Sequence, residues 1–522
     1  MLRPKSPQNS FYGSYLYDSI VPQDHLLRKI NEVVDFSFIK DIVKDRYRVD
    51  FGRPAEDPVY MFKLILLGYI YGHSDKQVVE HARVNMAYKY FLGLNIDDEV
   101  ADDTTISFFR VKRLGEEKFQ EIFDRIVQQC IDKGLVKGKS QMIDSTPIEA
   151  NAAITSLTGL IKKCRSNVLD DVQKQNKKSA KRLGYEDFEI TKQDRFTPKE
   201  EALEKEIEEA KKLLHGVTRE LRKKRVKANK SLIQNLNLLE KAVADREEGT
   251  KDRMVSPSDP DARMGRKDSK KWTGYKGHVV VEEDSDIITA IETTPANKDD
   301  GSQLKPLLKQ QEEAHDIRPE QLSADRAYGS GDNLETLADK EIIGYISLIE
   351  RTNPTGMDLF KREDFIYDPV DNTMTCPSGC VAKCKGREMV FRKKQRRKGF
   401  IFYFNGKLCA NCQLKPLCFT GDSKTSAYKG RSVRVNHWEP YYQQMKARME
   451  SEEGKAAYRN RYKIERKIAD LVRYCGMRRS RYRGLERTKI HTLLAATVSN
   501  VKRMARVLWE KPEPIPKPVL GG

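Results

Sequence analysis

Three acidic residues stand where metal-assisted cleavage of a phosphodiester would need them. Asp144 closes the alternating run KSQMID, Asp325 closes QLSAD, and Glu465 lies in a strongly basic helical stretch. Two-metal chemistry needs several carboxylates converging from rigid elements, and a carboxylate at a strand end sits where loops diverge and metal and substrate can reach it. Taken singly, each acid reads more naturally as a cap or turn residue. The joint arrangement, an Asp on each of two strands and a Glu on a basic helix, lifts them above that background. Tyr458, Arg461 and Glu465 are spaced i, i+3, i+7, which predicts one helical face for all three. Arg461, Lys463, Arg466 and Lys467 around Glu465 are expected to hold it ionised.

A second constellation is made of thiols. Cys376, Cys380, Cys384, Cys409, Cys412 and Cys418 fall within 43 residues, while Cys130, Cys164 and Cys475 are isolated. Such density in a reducing compartment reads as metal coordination before disulfides. Cys409-x2-Cys412 is good zinc spacing, because one tight turn brings two thiolates to one ion. Four thiolates would leave no open position, so the expected role is structural.

The elements that must position these groups are legible in the pattern. Residues 24–135 read as short helices, with Val59, Phe62, Leu66 and Ile70 on one face and polar caps at Ser74 and at Asp102 or Asp103. They fit a helix-turn-helix class module or a small bundle. A strand is expected to end near Asp144, before Pro147. Residues 155–250 turn polar and helical, with Leu203, Ile207, Ala210, Leu214, Val217 and Leu221, then Leu232, Leu236, Leu239 and Val243, predicting a helical hairpin. Its acidic first half and basic second half read as solvated faces. YKGHVVVEEDSDIITAIETTPA predicts a β-hairpin. A helix, the strand ending at Asp325 and a further strand follow, which is an α/β order with mixed pairing. Residues 365–425 have too few apolar residues for a core of their own. There, EMVFRKKQRRKGFIFYF predicts a hairpin around the basic turn Arg392, Lys393, Lys394, Arg396, Arg397 and Lys398. Residues 511–522 read as a Pro-rich flexible tail.

Charge narrows the function classes. The 522 residues carry 96 Lys+Arg against 77 Asp+Glu, a net +19, and residues 455–506 alone hold 16 bases against 3 acids. That excess wants a polyanion. No stretch approaches the ~20 apolar residues of a membrane span, and residues 1–13 lack the apolar run of a secretory signal. The expectation is a soluble, intracellular, multidomain protein.

Four blocks in order resemble a known family. RPAEDPVYMFKLILLGYIYG with DDTTISFFRVKRL, MIDSTPIEANA, LSADRAYGSGDNLETL, and YRNRYKIERKIADLVRYCGMRRSRYRGLERTKIHTLLAATVSNVKRM are together similar to bacterial insertion-sequence DDE transposases with a Tyr-x2-Arg-x3-Glu-x6-Lys signature. TPANKDDGSQLKPLL resembles the segment before the second acid. The signature's last basic position falls on Val472, with Arg473 one residue later. The resemblance implies an RNase H-like mixed-sheet core with Asp144, Asp325 and Glu465 as catalytic ligands to two Mg2+ (or Mn2+) ions. It also implies an N-terminal all-α DNA-binding domain, a helical-hairpin insertion and a small zinc-binding β insertion. The corresponding spans are 1–138, a core of 139–350 interrupted at 151–258, the cysteine-rich 365–425, and 440–510.

Likeness to the family's TCP.G knuckle favours Cys376, Cys409, Cys412 and Cys418 as zinc ligands. Cys380 is able to replace Cys376 or Cys418, and Cys384 is left spare. Base recognition is expected from Thr104, Thr105, Ser107 and Arg110, with Tyr458, Arg461, Arg478, Arg479, Arg481 and Arg483 on the DNA. The implied activity is binding of the element's ends, metal-dependent cleavage and joining of the 3′-OH to target double-stranded DNA. A homodimer assembled on DNA in the bacterial, nucleoid-associated cytoplasm would carry it out. The competing readings are a zinc-containing helix-turn-helix regulator and an RNase H-like nuclease without strand transfer.

Overall fold

The structure is a computed structural model describing residues 11–47, 55–153, 156–186, 199–250, 252–267, 269–348, 359–384, 389–391, 395–397, 399–419 and 430–509. The Pro-rich tail and most of the basic turn at 392–398 lie outside the described residues. The chain forms two compact units, one of Met1–Gly138, Asp144–Ile317 and Lys463–Gly522, the other of Lys139–Ile143 and Arg318–Tyr462.

The first unit opens with α1 (Phe11–Ile20), α2 (Leu26–Val33), α3 (Ile39–Val43), α4 (Pro58–Ile70), α5 (Asp75–Val84), α6 (Met86–Leu92), α7 (Asp103–Phe108) and α8 (Gly115–Asp132). Side-chain caps start these helices. Asp57 accepts from the Val59 and Tyr60 amides at 2.8 and 3.1 Å, with Pro58 preorganised at the first position. Ser74 and Gln77 form a reciprocal capping box, and Asp102 accepts from the Thr105 amide at 2.6 Å. α4 is apolar on nearly every side and is accordingly buried almost throughout.

β1 (Ser140–Glu149) carries Asp144 at its middle rather than its end. The expected stop at Pro147 does not occur. The Glu149 amide points away from β3 to the Arg478 carbonyl, so by strand alternation the missing amide of Pro147 faces that same side. The parallel partner there pairs only as far as Ile143, so among the described residues that pairing asks Pro147 for no donor. The helical insertion follows as α9 (Leu157–Gln175), α10 (Lys177–Arg182), α11 (Lys199–Arg222) and α12 (Lys230–Glu247). It closes on its own core of Leu160, Val168, Val172, Ala210, Val217 and Leu239. β2 (Arg263–Lys267), β3 (Lys270–Glu282) and β4 (Ile288–Pro295) are antiparallel, and β1 neighbours β3. Gly274 is required where it is: a Cβ there would lie 2.1 Å from the Ile148 carbonyl oxygen. α13 (Leu304–His315) packs on β4.

The second unit contains β5 (Gln321–Ala324), α14 (Gly331–Asp339) and β6 (Ile343–Ile346), with residues 140–143, β5 and β6 paired in parallel. Next come the meander β7 (Ile366–Asp368), β8 (Thr373–Thr375) and β9 (Val381–Lys383), the pair β10 (Met389–Phe391) and β11 (Gln395–Arg397), then β12 (Gly399–Tyr403), α15 (Gly406–Ala410) and β13 (Ser432–Asn436). β12 and β13 pair antiparallel. Contrary to the sequence expectation, this segment has a core: Phe365, Tyr367, Met374, Phe402, Phe404 and Val435 are buried together. α16 (Glu439–Glu450) and α17 (Glu452–Arg459) complete the unit.

α18 (Tyr462–Tyr474) and α19 (Leu485–Leu508) return to the first unit. α19 is its central helix and packs on α2, α4, α8 and β4. Ala495, Ala496, Val498 and Val501 are fully buried along it, and such small side chains let neighbouring helices approach closely. No helix among the described residues is long and apolar enough to cross a membrane.

Candidate active site

In the first unit, Asp144 is buried to 8 % exposure, and its carboxylate accepts from the Ser145 amide at 2.7 Å. Five residues further along β1, Glu149 forms a parallel bridge with Arg479, and the Ser480 amide donates to the Glu149 carbonyl at 2.9 Å. The basic segment after α18 is thereby laid against the strand that carries the first acid. Glu465 lies exposed in the first turn of α18, where a carboxylate favours the helix N-terminus.

In the second unit, Asp325 directly follows β5 and caps a short 3-10 turn, accepting from the Ala327 amide at 2.8 Å. Ala324, immediately before it, is the register partner of Ile143, the residue immediately before Asp144.

Two expectations about the basic helix are corrected. Tyr458, Arg461 and Glu465 do not share one continuous helical face, because α17 ends at Arg459 and a turn at Asn460–Arg461 separates it from α18. Nor are the flanking cations gathered on Glu465. Lys463 pairs with Glu283 at 2.9 Å, and Arg466 and Arg503 pair with Asp286 at 3.1 and 3.5 Å. Lys467 is buried, and desolvation lowers its pKa to about 8. The acids of the β3–β4 turn therefore clamp α18. Sequence reasoning passed over Glu283 and Asp286; their signal was the EEDSD run set against a helix of opposite charge.

Arg110 is likewise corrected as a base-reading residue. It is 7 % exposed, donates to Asp75 at 2.6 Å and lies 5.3 Å over the Tyr482 ring. Its guanidinium is a packing element between helices, since a buried cation needs a partner. Thr104 and Ser107 are exposed on α7 and Thr105 is half-buried, with the Thr104 hydroxyl donating to the capping Asp102 at 2.8 Å. Among the other bases, Arg478, Arg479 and Arg483 are exposed. Arg481 is engaged: it donates to the carbonyls of His73 and Gly68 at 2.9 and 2.8 Å and stacks 4.2 Å over Tyr69.

In the second unit Cys376, Cys380, Cys409, Cys412 and Cys418 line one small cavity together with Arg431. Two tight turns present them, with the Gly379 amide donating to the Cys376 carbonyl and the Cys412 amide to that of Cys409. Burial, reinforced by the nearby Cys376, Cys409 and Cys412 thiols, raises the Cys380 pKa; burial also raises that of Cys418. Cys384 instead bridges to Phe402. Among the described residues, no three His, Cys, Asp or Glu side chains stand close enough together to hold a metal as they are. The thiols share a cavity without being drawn onto one point.

Known proteins match at both ends of the chain. Residues 15–112 match the family described as Transposase domain, and residues 375–505, from just before the first clustered cysteine to past Glu465, match the Transposase DDE domain. An uncharacterized protein, ORF8 in the nfe locus of Rhizobium meliloti, is 26% identical over 140 residues, covering 26% of this chain and 66% of that protein. No solved structure matches. Both matches are to transposase domains, and with its helical N-terminus and mixed α/β fold the chain is similar to the insertion-sequence DDE transposases over those residues; a DDE domain of that kind implies dependence on divalent metal.

Proposed function

We propose that the protein binds the ends of its insertion sequence, cleaves DNA by phosphodiester hydrolysis and joins the freed 3′-OH to target DNA. Asp144, Asp325 and Glu465 are the ligands of two Mg2+ (or Mn2+) ions on an RNase H-like core. The observation that carries this reading is the register of two parallel strands: Ile143 pairs with Ala324, and each is followed at once by an aspartate. Glu465 supports it from an exposed first helical turn, inside the segment that matches the DDE domain. Divalent ions held by the acids supply the polarisation that phosphodiester chemistry needs. The chain's own part is to fix the carboxylates: Asp144 through the Ser145 amide, Asp325 through the Ala327 amide, and Glu465 through a helix tied down by Glu283 and Asp286.

DNA contacts fall to Thr104, Thr105 and Ser107 on α7 and to Tyr458, Arg461, Arg478, Arg479 and Arg483. Cys376, Cys409, Cys412 and Cys418 hold one structural Zn2+, with Cys380 a fifth thiol in the same cavity; an all-thiol set of this kind suits zinc. The active assembly is a homodimer on DNA in the bacterial cytoplasm, associated with the nucleoid. Duplexes carrying the element's ends test the proposal. With Mg2+ the protein yields nicked and then joined products, and Asp144→Asn abolishes both while end binding persists. Cutting without joined products would leave a nuclease, and binding without any metal-dependent cutting would leave a regulator.

A further inference from the structure

The helical insertion ends in a cationic tip assembled from two segments distant in sequence. Residues 174–182 and 222–230 carry eleven Lys and Arg and no Asp or Glu. The fold joins them. Asn176 donates to the Arg225 carbonyl at 3.0 Å, and the Lys227 amide donates to the Gln175 side chain at 2.9 Å. Glu220, 5 % exposed, accepts from Ser179 at 2.5 Å and pairs with both Arg182 and Arg225 at 3.3 Å. One buried acid thus pins the two segments and neutralises two of the bases. Lys177, Lys178, Lys223, Lys224 and Lys227 remain exposed around it, and the described residues place no carboxylate in ion-pair range of them.

Helix electrostatics do not account for this collection. Cations at the C-termini of α9 and α11 offset the negative ends of those helices. Lys177, Lys178 and Lys230, however, sit in the first turns of α10 and α12, where a cation opposes the helix dipole. Lys224 also holds a left-handed φ of 53° at the apex of the turn, a position that favours Gly or Asn. Folding alone would choose other residues at each of these places. The tip is also well separated from where the insertion joins β1. α9 runs 19 residues outward from that junction, about 28 Å at 1.5 Å per residue. The acidic residues Glu206 and Glu209 lie toward the junction, paired with Arg165.

We infer that this tip is a second, sequence-independent DNA-binding surface that grips the phosphate backbone of double-stranded DNA away from the catalytic acids. The inference rests on the DNA-directed function above and adds a contact that the catalytic reading does not require. Phosphate neutralisation by lysines releases counterions, so each contact contributes roughly 0.9 to the slope of log affinity against log salt.

The test uses the full chain in EDTA, so that cutting plays no part, with a 40-base-pair duplex of random sequence and one carrying an element end. Replacing Lys177, Lys178, Lys223 and Lys227 by Gln is expected to reduce the salt slope by about 3.5 on both duplexes. The affinity deficit then shrinks by roughly a hundredfold between 50 and 200 mM salt. The melting temperature does not fall, because these side chains are exposed and Lys177 and Lys178 oppose the dipole of α10. Lys205→Gln with Lys212→Gln, on the acidic half of the same insertion, leaves the slope as it was. A slope reduced by less than one, or an equal reduction in that second variant, would overturn the inference while leaving end binding and catalysis untouched. Tighter binding of a duplex RNA, with the loss confined to it, would reassign the tip and overturn it too. Failure of the unaltered protein to bind either DNA would instead count against the function itself.

Discussion

Arg481 offers the sharpest contrast between a base that holds the fold and one that holds DNA. Its two terminal nitrogens reach the carbonyls of Gly68, near the end of α4, and His73, just beyond it, and its guanidinium covers the Tyr69 ring. Carbonyls at a helix C-terminus have no intrahelical donor, so removing the arginine leaves two acceptors to water or to nothing. A hydrogen bond to a charged group contributes about 1.5–3 kcal/mol, and a partly exposed cation–π contact about 1 kcal/mol. Because Arg481 is half-buried, the lower ends apply to its two hydrogen bonds, and with the ring contact Arg481→Ala is expected to cost about 4 kcal/mol. Arg481→Lys should recover little of it, since a single ammonium cannot reproduce a planar fork. Arg479→Ala, at an exposed side chain whose neighbours pair through the backbone, should leave stability unchanged and lower the DNA salt slope by about one. Denaturant unfolding and DNA titrations on the same preparations read both effects. An Arg481→Ala protein with unaltered stability and weakened DNA binding would refute this reading.

Acid stability follows from two buried histidines. Burial lowers His278 from 6.5 to about 4 and His491, hydrogen-bonded to Tyr69 at 3.0 Å, to about 3. Both are neutral in the fold and take up protons more readily when unfolded. Their contribution is complete above about pH 6.5 and is lost as pH falls from there toward 4, at about 1.4 kcal/mol per histidine per unit. Chemical denaturation at pH 7, 6 and 5 should show a steady fall that His278→Asn makes shallower; a flat profile would contradict the burial argument. For the thiol cavity, the purified protein should contain one zinc per chain, lost in Cys409→Ser/Cys412→Ser. Because Phe365, Phe402 and Phe404 already supply a core, metal loss should loosen this segment without unfolding the rest, and hydrogen exchange would localise the change. A metal-free protein of full stability would refute the zinc assignment.

Local signals in the sequence carried a good part of the fold. The caps at Ser74 and Asp102, the hairpin of β3 and β4, and the paired helices α11 and α12 all follow from turn chemistry and apolar spacing, which act over a few residues. What failed was non-local. Pro147 does not end β1, because the consequence of its missing amide depends on which neighbour lies alongside. The helical face drawn through Tyr458 and Glu465 assumed continuity that a two-residue turn at Asn460 breaks. Arg110 reads from its helix as a groove-reading base, but Asp75 and Tyr482, distant in sequence, hold it. The second unit's core escaped detection because β7, β8 and β9 are three residues each, too short for any periodicity. Its aromatics meet only in three dimensions. Asp144, Asp325 and Glu465 were visible as candidates through their settings, while Lys463 and Arg466 beside Glu465 are committed to Glu283 and Asp286.

The central claim is that Asp144, Asp325 and Glu465 hold catalytic metal together. Crystals of the protein with an end-bearing duplex, soaked in Mn2+ and measured at the manganese absorption edge, test it most directly. The account predicts two anomalous peaks about 3.5–4 Å apart, with carboxylate oxygens of all three acids among their ligands, and no peaks in Asp144→Asn crystals. Manganese bound at any one of these acids while another stands more than about 10 Å away, beyond the reach of a shared two-metal centre, would contradict it.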